Sequence, residues 1–219
     1  CKAPFNFSHV MDGKKTLKEI IVEAPHGVKL VPGASGIQNL AALNKSQTAA
    51  IISAFSEIES EIDFLIVDMA AGLSDSVMTF LCACQKRYIV VKNEPSSIAD
   101  AYATIKVMLQ DFNLNNISLI PNGVISQTDG VRLSKNINTV IKNFLGGNVD
   151  YLHSITFDEM ILRATKASKC LIDYAPSSNA TRDFKELAKI ITSQDSASAI
   201  SGGLQFFVER MTMNQARVG

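Results

Sequence analysis

The sequence has no excess of charge of either sign, and this narrows the classes of protein it can belong to. Its 219 residues include 21 Lys and Arg and 21 Asp and Glu, so the formal net charge is zero. Proteins that coat nucleic acid usually carry a basic excess, which argues against direct nucleic-acid binding. An apolar fraction of 47% without net charge also excludes a disordered chain. A chain of this length and composition is expected to bury one substantial core.

Cysteines and long apolar runs are also scarce. The four cysteines are too few and too scattered for a disulfide scaffold, which favours a reducing, intracellular setting. No run approaches the roughly 18 apolar residues of a membrane span, and no signal peptide opens the sequence. The sequence starts at Cys1 rather than Met, and its first residues read as the middle of a protein. We therefore expect a fragment whose N-terminus is missing.

Short apolar runs alternate with helical periods along the chain. Strands are predicted at 28–31, 64–67, 88–91, 117–120 and 151–155. Helices are predicted after Ser46, Ser74 or Asp75, Ser97, Val131, Asp158 and Asp183, and Ile51, Phe55, Ile58 and Ile62 form a buried stripe. Continuous apolar strands are typical of parallel sheets, which are buried on both faces. The alternation predicts a doubly wound α/β fold with a mainly parallel sheet.

Ligands of such folds bind beyond the carboxyl ends of the strands, where this chain places Asp68, Asn93, Asn122 and Asp158. The strongest local signal is DFLIVDMAAGLSDS at 63–76. A buried strand that ends at Asp68 delivers a carboxylate to the phosphate end of the sheet, where it can order Mg²⁺ and its waters. The small residues up to Gly72 let backbone N–H groups approach a phosphate. The alternative is a strand that ends in a capping Asp.

Four segments together resemble a known family. They are GVKLVPGASGIQNLAAL at 27–43, AFSEIESEIDFLIVDMAAGLSDSV at 54–77, NEPSSIADAYATIKVM at 93–108 and GGLQFFVERM at 202–211. They are similar to the FlhG/FleN flagellar number regulators, a branch of the MinD/ParA P-loop ATPases. The likeness runs from about Phe5 to Met211. The family's Gly-rich P-loop and the strand after it have no counterpart, so the expected P-loop NTPase fold lacks its first strand or strands.

The resemblance implies roles for four residues. Asp68 matches the Walker B acid, a catalytic residue that organises Mg²⁺ through water, and Gly72 matches the switch glycine whose N–H faces the γ-phosphate. Asn122 matches an amide that reads adenine, and Asp158 matches the acid of a loop against the base and ribose. From the residues alone, Asn122 is also typical of an ordinary turn and Asp158 of a helix N-cap.

Four positions depart from the family pattern around these residues. Met69 replaces a Thr beside the Mg²⁺ site, Pro121 and Gly123 flank Asn122, and Thr156 replaces a proline before Asp158. They imply a divergent site.

The resemblance also implies a function and a domain organisation. ATP and Mg²⁺ would favour a homodimer that controls flagellar number and placement, cytoplasmic and peripherally bound to the inner face of the membrane. Expected partners are an FlhF-type GTPase, flagellar C-ring or switch proteins, or a flagellar transcription activator. The expected parts are an ATPase domain at 1–192, a linker at 193–203 and an amphipathic helix at 204–213. The membrane-binding residues would be Leu204, Phe206, Phe207, Val208 and Met211, most of them on one apolar stripe.

Two other functions remain open from the sequence. One is a non-catalytic interaction module or a degenerate homologue, because a chain without a P-loop should not hydrolyse ATP. The other is a different MinD/ParA-type positioning or partition ATPase, although the tail and the segment at 93–108 favour the flagellar branch.

Overall fold

In the computed structural model, the described residues are 4–33, 45–69, 72–193 and 206. The chain divides into two compact units. The first is Cys1–Gln85 together with Ala199–Gly219, and the second is Lys86–Ser198.

Short helices and one small hairpin form the described part of the first unit. Its elements are α1 Phe7–Met11, α2 Leu17–Ile20, β1 Val22–Ala24, β2 Val28–Leu30, α3 Lys45–Ala54 and α4 Asp75–Ala83, with 3₁₀ turns at Pro25–Gly27 and Phe55–Glu61. Strands β1 and β2 pair antiparallel, so the predicted strand at 28–31 forms within a hairpin rather than in a parallel sheet. The Ser74 side chain accepts a hydrogen bond from the Val77 N–H, which confirms Ser74 as the N-cap of α4.

The first unit has its own apolar core. Its buried members are Phe7, Leu17, Ile20, Ile51, Ile52, Phe55, Ile58, Ala83 and Phe206. The predicted stripe is confirmed at Ile51, Phe55 and Ile58, although the chain tightens into a 3₁₀ turn from Phe55 onward. Ile62 packs against this core from its edge.

The predicted buried strand at 64–67 is wrong in the structure. The segment 64–69 has no regular secondary structure, and no strand of the described residues pairs with it. Burial nevertheless alternates, because Leu65 and Val67 pack on the first core while Phe64 and Ile66 are 56% and 87% exposed. A strand needs neighbours for its backbone N–H and C=O groups, and here only one face of the segment is covered.

The second unit is an α/β layer structure. Its elements are β3 Arg87–Val91, α5 Pro95–Gln110, β4 Ile117–Val124, α6 Gln127–Leu145, β5 Asp150–Tyr151, β6 Ile155–Thr156, α7 Glu159–Lys166, α8 Leu171–Tyr174 and α9 Asn179–Ser193. Strand β4 pairs with β3 on one side and with β5 and β6 on the other, and every pairing is parallel. This confirms the predicted α/β class with a mainly parallel sheet. The unit's side chains Val91, Ile105, Met108, Leu119 and Ile141 have no exposed surface.

The structure corrects several strand and helix boundaries. Strand β4 does not end at residue 120 but continues through Pro121 to Val124, and the predicted strand at 151–155 is two separate strands. Asn122 pairs with Ile155 and Val124 with Thr156, so Gly123 is an extra residue on β4. Its φ of +70° fits a glycine bulge one residue before the end of β4. Helix α5 begins at Pro95, two residues before the predicted Ser97. Helices α6 and α9 begin at Gln127 and Asn179, each four residues before the predicted start.

No helix within 4–33, 45–69 and 72–193 is both long and apolar enough to cross a bilayer.

Candidate functional site

Asn122 lies inside β4 near its carboxyl end, so its interpretation as an ordinary turn residue is wrong. The residue is partly buried, and no described group hydrogen-bonds to its side-chain amide. Its register partner Ile155 precedes Asp158 by three residues. The structure therefore brings two of the sequence-predicted residues, Asn122 and Asp158, to one edge of the second unit's sheet.

The turn from Thr156, the last residue of β6, to Asp158 is held from two sides. The Phe157 N–H donates to the Val124 carbonyl at 2.7 Å, which ties the turn to β4. The Asp158 carboxylate accepts the Met160 N–H at 2.9 Å and the Ala180 N–H at 3.1 Å, which ties it to α7 and α9. The backbone of this turn is therefore fixed to the sheet and to both helices.

Asp158 is the N-cap of α7, as the alternative interpretation of the sequence predicted. Hydrogen bonds from the Met160 and Ala180 N–H groups hold the pKa of the Asp158 carboxyl below its ordinary value of 3.8. The carboxylate is thus anionic at neutral pH, and both of its oxygens already accept a backbone donor. A direct role of Asp158 toward a ligand stays a prediction.

A surface pocket opens beside this turn. It is lined by Ile125, Thr156, Phe157, Asn179, Arg182 and Asp183. Phe157 is 70% exposed and Ile125 is 91% exposed, although their backbones lie next to fixed strands. A rigid backbone that presents an aromatic ring and an aliphatic side chain is suited to contact a flat, partly apolar group. The pocket offers polar groups as well, and the Arg182 guanidinium donates to the Asn179 side chain.

A polar cluster behind the pocket was not predicted from the sequence. Gln127, the first residue of α6, donates to the Ser154 carbonyl and to Asp183, each at 2.9 Å, and accepts from the Tyr151 hydroxyl at 3.0 Å. Asp183 also accepts two hydrogen bonds from Thr156. The only sequence signal was Thr156 itself, as a departure from the family pattern. Its partner in α9 is 27 residues away, a pairing that periodicity does not reveal.

Asp68 and Gly72 both belong to the first unit, and neither lies in a helix or a strand. Asp68 is exposed, and its carboxylate has no ion pair or hydrogen bond with any described group, whereas the adjacent Met69 is partly buried. Gly72 has a φ of +115°, a conformation that favours glycine, and no atom of the described residues lies within 4 Å of the position that a Cβ would take. Their predicted convergence with Asn122 and Asp158 stays a prediction.

The C-terminal tail is described only at Phe206, whose side chain is buried in the first core, and its role in membrane binding stays a prediction. Phe206 is 2% exposed, and its ring lies 5.4 Å from that of Phe55 and 6.3 Å from that of Phe80. Its backbone donates to the Ala83 carbonyl and accepts from the Gln85 side chain. The other predicted membrane residues, Leu204, Phe207, Val208 and Met211, lie outside the described residues, as does the predicted linker after Ser193.

Comparison with known proteins gives the family. No family model matches the chain. The antiactivator FleN of Pseudomonas aeruginosa is 35% identical over 207 residues, which cover 94% of this chain and 74% of the relative. The flagellum site-determining protein YlxH of Helicobacter pylori is 28% identical over 210 residues, which cover 94% of this chain and 71% of the relative.

A solved structure confirms the fold. The septum site-determining protein MinD of Pyrococcus horikoshii, determined as a complex with Mg-ADP, matches with a TM-score of 0.66. It is 19% identical, and the match covers 88% of this chain and 75% of that one. With the parallel sheet, the extent of both sequence matches and this fold, the chain belongs to the FlhG/FleN family of flagellar number regulators within the MinD/ParA ATPases.

Proposed function

We propose that this protein is an ATP-dependent dimerisation switch that controls flagellar number and placement at the membrane. The observation that carries the proposal is Asn122, a partly buried residue beside the fixed turn that follows β6, whose side-chain amide has no hydrogen-bond partner among the described residues. Its donor and its acceptor can therefore pair with a ligand that supplies one acceptor and one donor. The adenine edge offers both groups, and the similarity to FleN supports this choice.

The base would lie at the carboxyl edge of β4. Its face would contact the exposed Phe157 and Ile125, while the Asn122 amide reads its edge. Asp158 would serve this site through the backbone, because its carboxylate fixes the turn that carries Phe157.

Asp68 and Gly72 would serve the phosphate end. An exposed carboxylate that has no partner among the described residues suits Mg²⁺, which prefers oxygen ligands and keeps several waters. Bound Mg²⁺ would neutralise charge on the β- and γ-phosphates. Gly72, with its positive φ and open surroundings, could bring its N–H close to a phosphate oxygen.

Nucleotide binding and hydrolysis test the proposal in the protein produced from its gene. We expect Mg-ATP to bind, Asp68→Ala to abolish hydrolysis, and Asn122→Leu to weaken ATP binding about tenfold by removing both polar contacts. Asp63→Ala is the matched control, because Asp63 is exposed and has no ion-pair or hydrogen-bond partner among the described residues. Unchanged turnover in Asp68→Ala would contradict the Walker B assignment. A wild-type protein that binds no nucleotide would favour the non-catalytic interaction module instead.

The tail would supply the membrane contact. Leu204, Phe207, Val208 and Met211 fall on one helical stripe, and each is worth roughly 1.5–3 kcal/mol when fully buried. Glu209 offsets Arg210, so binding should be mainly hydrophobic and should change little with salt. Phe206 lies beside the stripe in sequence. Its ring would hold the tail on the first core and would leave that core when the tail binds the membrane. With ATP present, Phe207→Glu should release the protein from sedimenting liposomes, and a wild-type protein that stays in the supernatant would refute membrane binding.

The proposed setting is the cytoplasmic face of the membrane, with an ATP-dependent second copy of this chain as the first partner. An FlhF-type GTPase and flagellar C-ring or switch proteins, or a flagellar transcription activator, would be the others. These partners follow from family membership, and a pull-down with and without ATP would test each of them.

A further inference from the structure

The Asp183 carboxylate in α9 is the meeting point of three separate elements. Its Oδ2 accepts two hydrogen bonds from Thr156, from the backbone N–H at 2.8 Å and from the hydroxyl at 2.6 Å. Its Oδ1 accepts the Gln127 side-chain amide at 2.9 Å. One carboxylate therefore joins the end of β6 and the start of α6 to helix α9.

This carboxylate is largely buried, and the basic side chain beside it is a histidine rather than a lysine or an arginine. The Asp183 side chain is 15% exposed, and no lysine or arginine of the described residues lies within ion-pair distance. The nearest cationic candidate is His153, whose Nε2 lies 3.8 Å from Oδ1. Burying an anion costs free energy that hydrogen bonds must offset, and in some proteins such a group is retained because it fixes a particular geometry.

The geometry that Asp183 fixes is the turn beside the pocket. Thr156 is followed at once by Phe157, whose N–H is bound to β4, and by Asp158, which is bound to α7 and α9. Without Asp183, the Thr156 N–H and hydroxyl would lose their acceptor in a partly buried position. Residue 156 would then be held only by its neighbours in the chain and by the β4 pairing.

We propose that Asp183 is a positioning residue for nucleotide binding, which acts by clasping Thr156 and so holding Phe157 at the pocket. A residue at position 156 that needs no acceptor would make the clasp unnecessary. Proline has neither an N–H nor a hydroxyl and fixes its own φ, so it would keep the turn in place by stiffness rather than by hydrogen bonds. The identity of the ligand in this inference rests on the proposed nucleotide-binding function. The hydrogen bonds between Asp183 and Thr156 do not depend on that function.

The first experiment uses the protein produced from its gene and the isosteric variant Asp183→Asn. The amide keeps the shape but loses the acceptor capacity of one oxygen and the charge that strengthens these bonds. We expect hydrogen exchange at the Thr156 and Phe157 amides to accelerate about tenfold, and binding of a fluorescent ATP analogue to weaken about tenfold. Asp100→Asn is the control, because Asp100 is exposed on α5 and its side chain has no partner among the described residues. It should change neither quantity.

The second experiment separates positioning from direct contact with the nucleotide. The double variant Asp183→Asn with Thr156→Pro should bind the analogue within about threefold of wild type, because proline needs no acceptor. Thr156→Val, which keeps the N–H donor and loses the hydroxyl, should fall between wild type and Asp183→Asn. Circular dichroism would check that each variant is folded.

Three outcomes would overturn the inference. They are wild-type affinity in a folded Asp183→Asn protein, unchanged exchange at Thr156, and a double variant as weak as the single one. A wild-type protein that binds no nucleotide would refute the proposed function, while the exchange measurement would still decide whether Asp183 clasps the turn.

Discussion

Two apolar runs of the same length have different structures in the two units. FLIV at 64–67 and ISLI at 117–120 both read as short sheet strands. The second run begins β4, which has parallel partners on both sides and buries Ile117, Leu119 and Ile120. The first run has no partner strand among the described residues and exposes Ile66 almost fully. An apolar run thus predicts burial of at least one face, whereas a strand also requires neighbours that satisfy its backbone.

The largest loss of stability is expected at Phe206, in the apolar core of the first unit. Phe206→Ala should lower the free energy of unfolding by about 3–5 kcal/mol, because it removes a ring that packs on Phe55 and Phe80. Phe64→Ala, at a ring that is 56% exposed in the same unit, should cost less than about 1 kcal/mol. Denaturant unfolding followed by far-ultraviolet circular dichroism measures both. Equal losses of unfolding free energy in the two variants would show that the buried Phe206 ring stabilises this unit no more than the exposed Phe64 ring does.

The next largest loss of stability is expected at Gly130, where helix α6 packs closely in the second unit. A Cβ at Gly130 would come within 1.9 Å of Ser154 Oγ and 2.8 Å of its Cβ, so helix α6 can lie this close only with glycine there. Gly130→Ala should cost about 1–3 kcal/mol through overpacking. Adding Ser154→Gly removes both clashing atoms and should restore part of that loss. A single variant as stable as wild type would show that α6 and the segment before β6 can separate freely.

A smaller, pH-dependent effect is expected at Asp158. Asp158→Ala should cost about 1 kcal/mol at neutral pH through loss of the α7 cap. Because the folded pKa is lowered, the ionic part of this contribution is present above the unfolded pKa of about 4 and is lost as pH falls through the folded pKa. The difference between wild type and Asp158→Ala should therefore shrink in acid. Asp158→Asn, an uncharged cap, is the control and should differ from Asp158→Ala by the same amount at every pH.

The smallest effect is expected at Ile66. Replacing a buried strand isoleucine by serine is costly, but Ile66 is 87% exposed, so Ile66→Ser should change the unfolding free energy by less than about 0.5 kcal/mol. Leu65→Ser, on the face that packs on the first core, should cost more. A loss above 1 kcal/mol at Ile66 would mean that this segment is covered by another strand, and the two apolar runs would then be equivalent.

The sequence predicted well wherever a local rule determines the structure. The Ser74 and Asp158 caps, the stripe through Ile51 and Phe55, and the parallel sheet all follow from short-range patterns. The sequence also placed Asn122 and Asp158 at one edge of the sheet, because the carboxyl ends of neighbouring parallel strands lie at the same edge.

The failures depend on contacts between residues far apart in the chain. Periodicity does not show whether residues 64–67 have neighbours, that Phe206 returns to the core of Phe55, or that the Asp183 carboxylate meets Thr156. Burial by a distant segment and polar pairing across elements are properties of the assembled fold. They became visible only once the structure placed these residues together.

The division into two units has a consequence for spectroscopy. The sequence contains no tryptophan, and its four tyrosines, Tyr88, Tyr102, Tyr151 and Tyr174, all belong to the second unit. Its intrinsic tyrosine fluorescence and near-ultraviolet absorbance therefore report on the second unit alone, while the first contributes only phenylalanine. Unfolding of the first unit would lower the far-ultraviolet helical signal, to which its helices contribute. The natural chromophores thus distinguish the two units without any label.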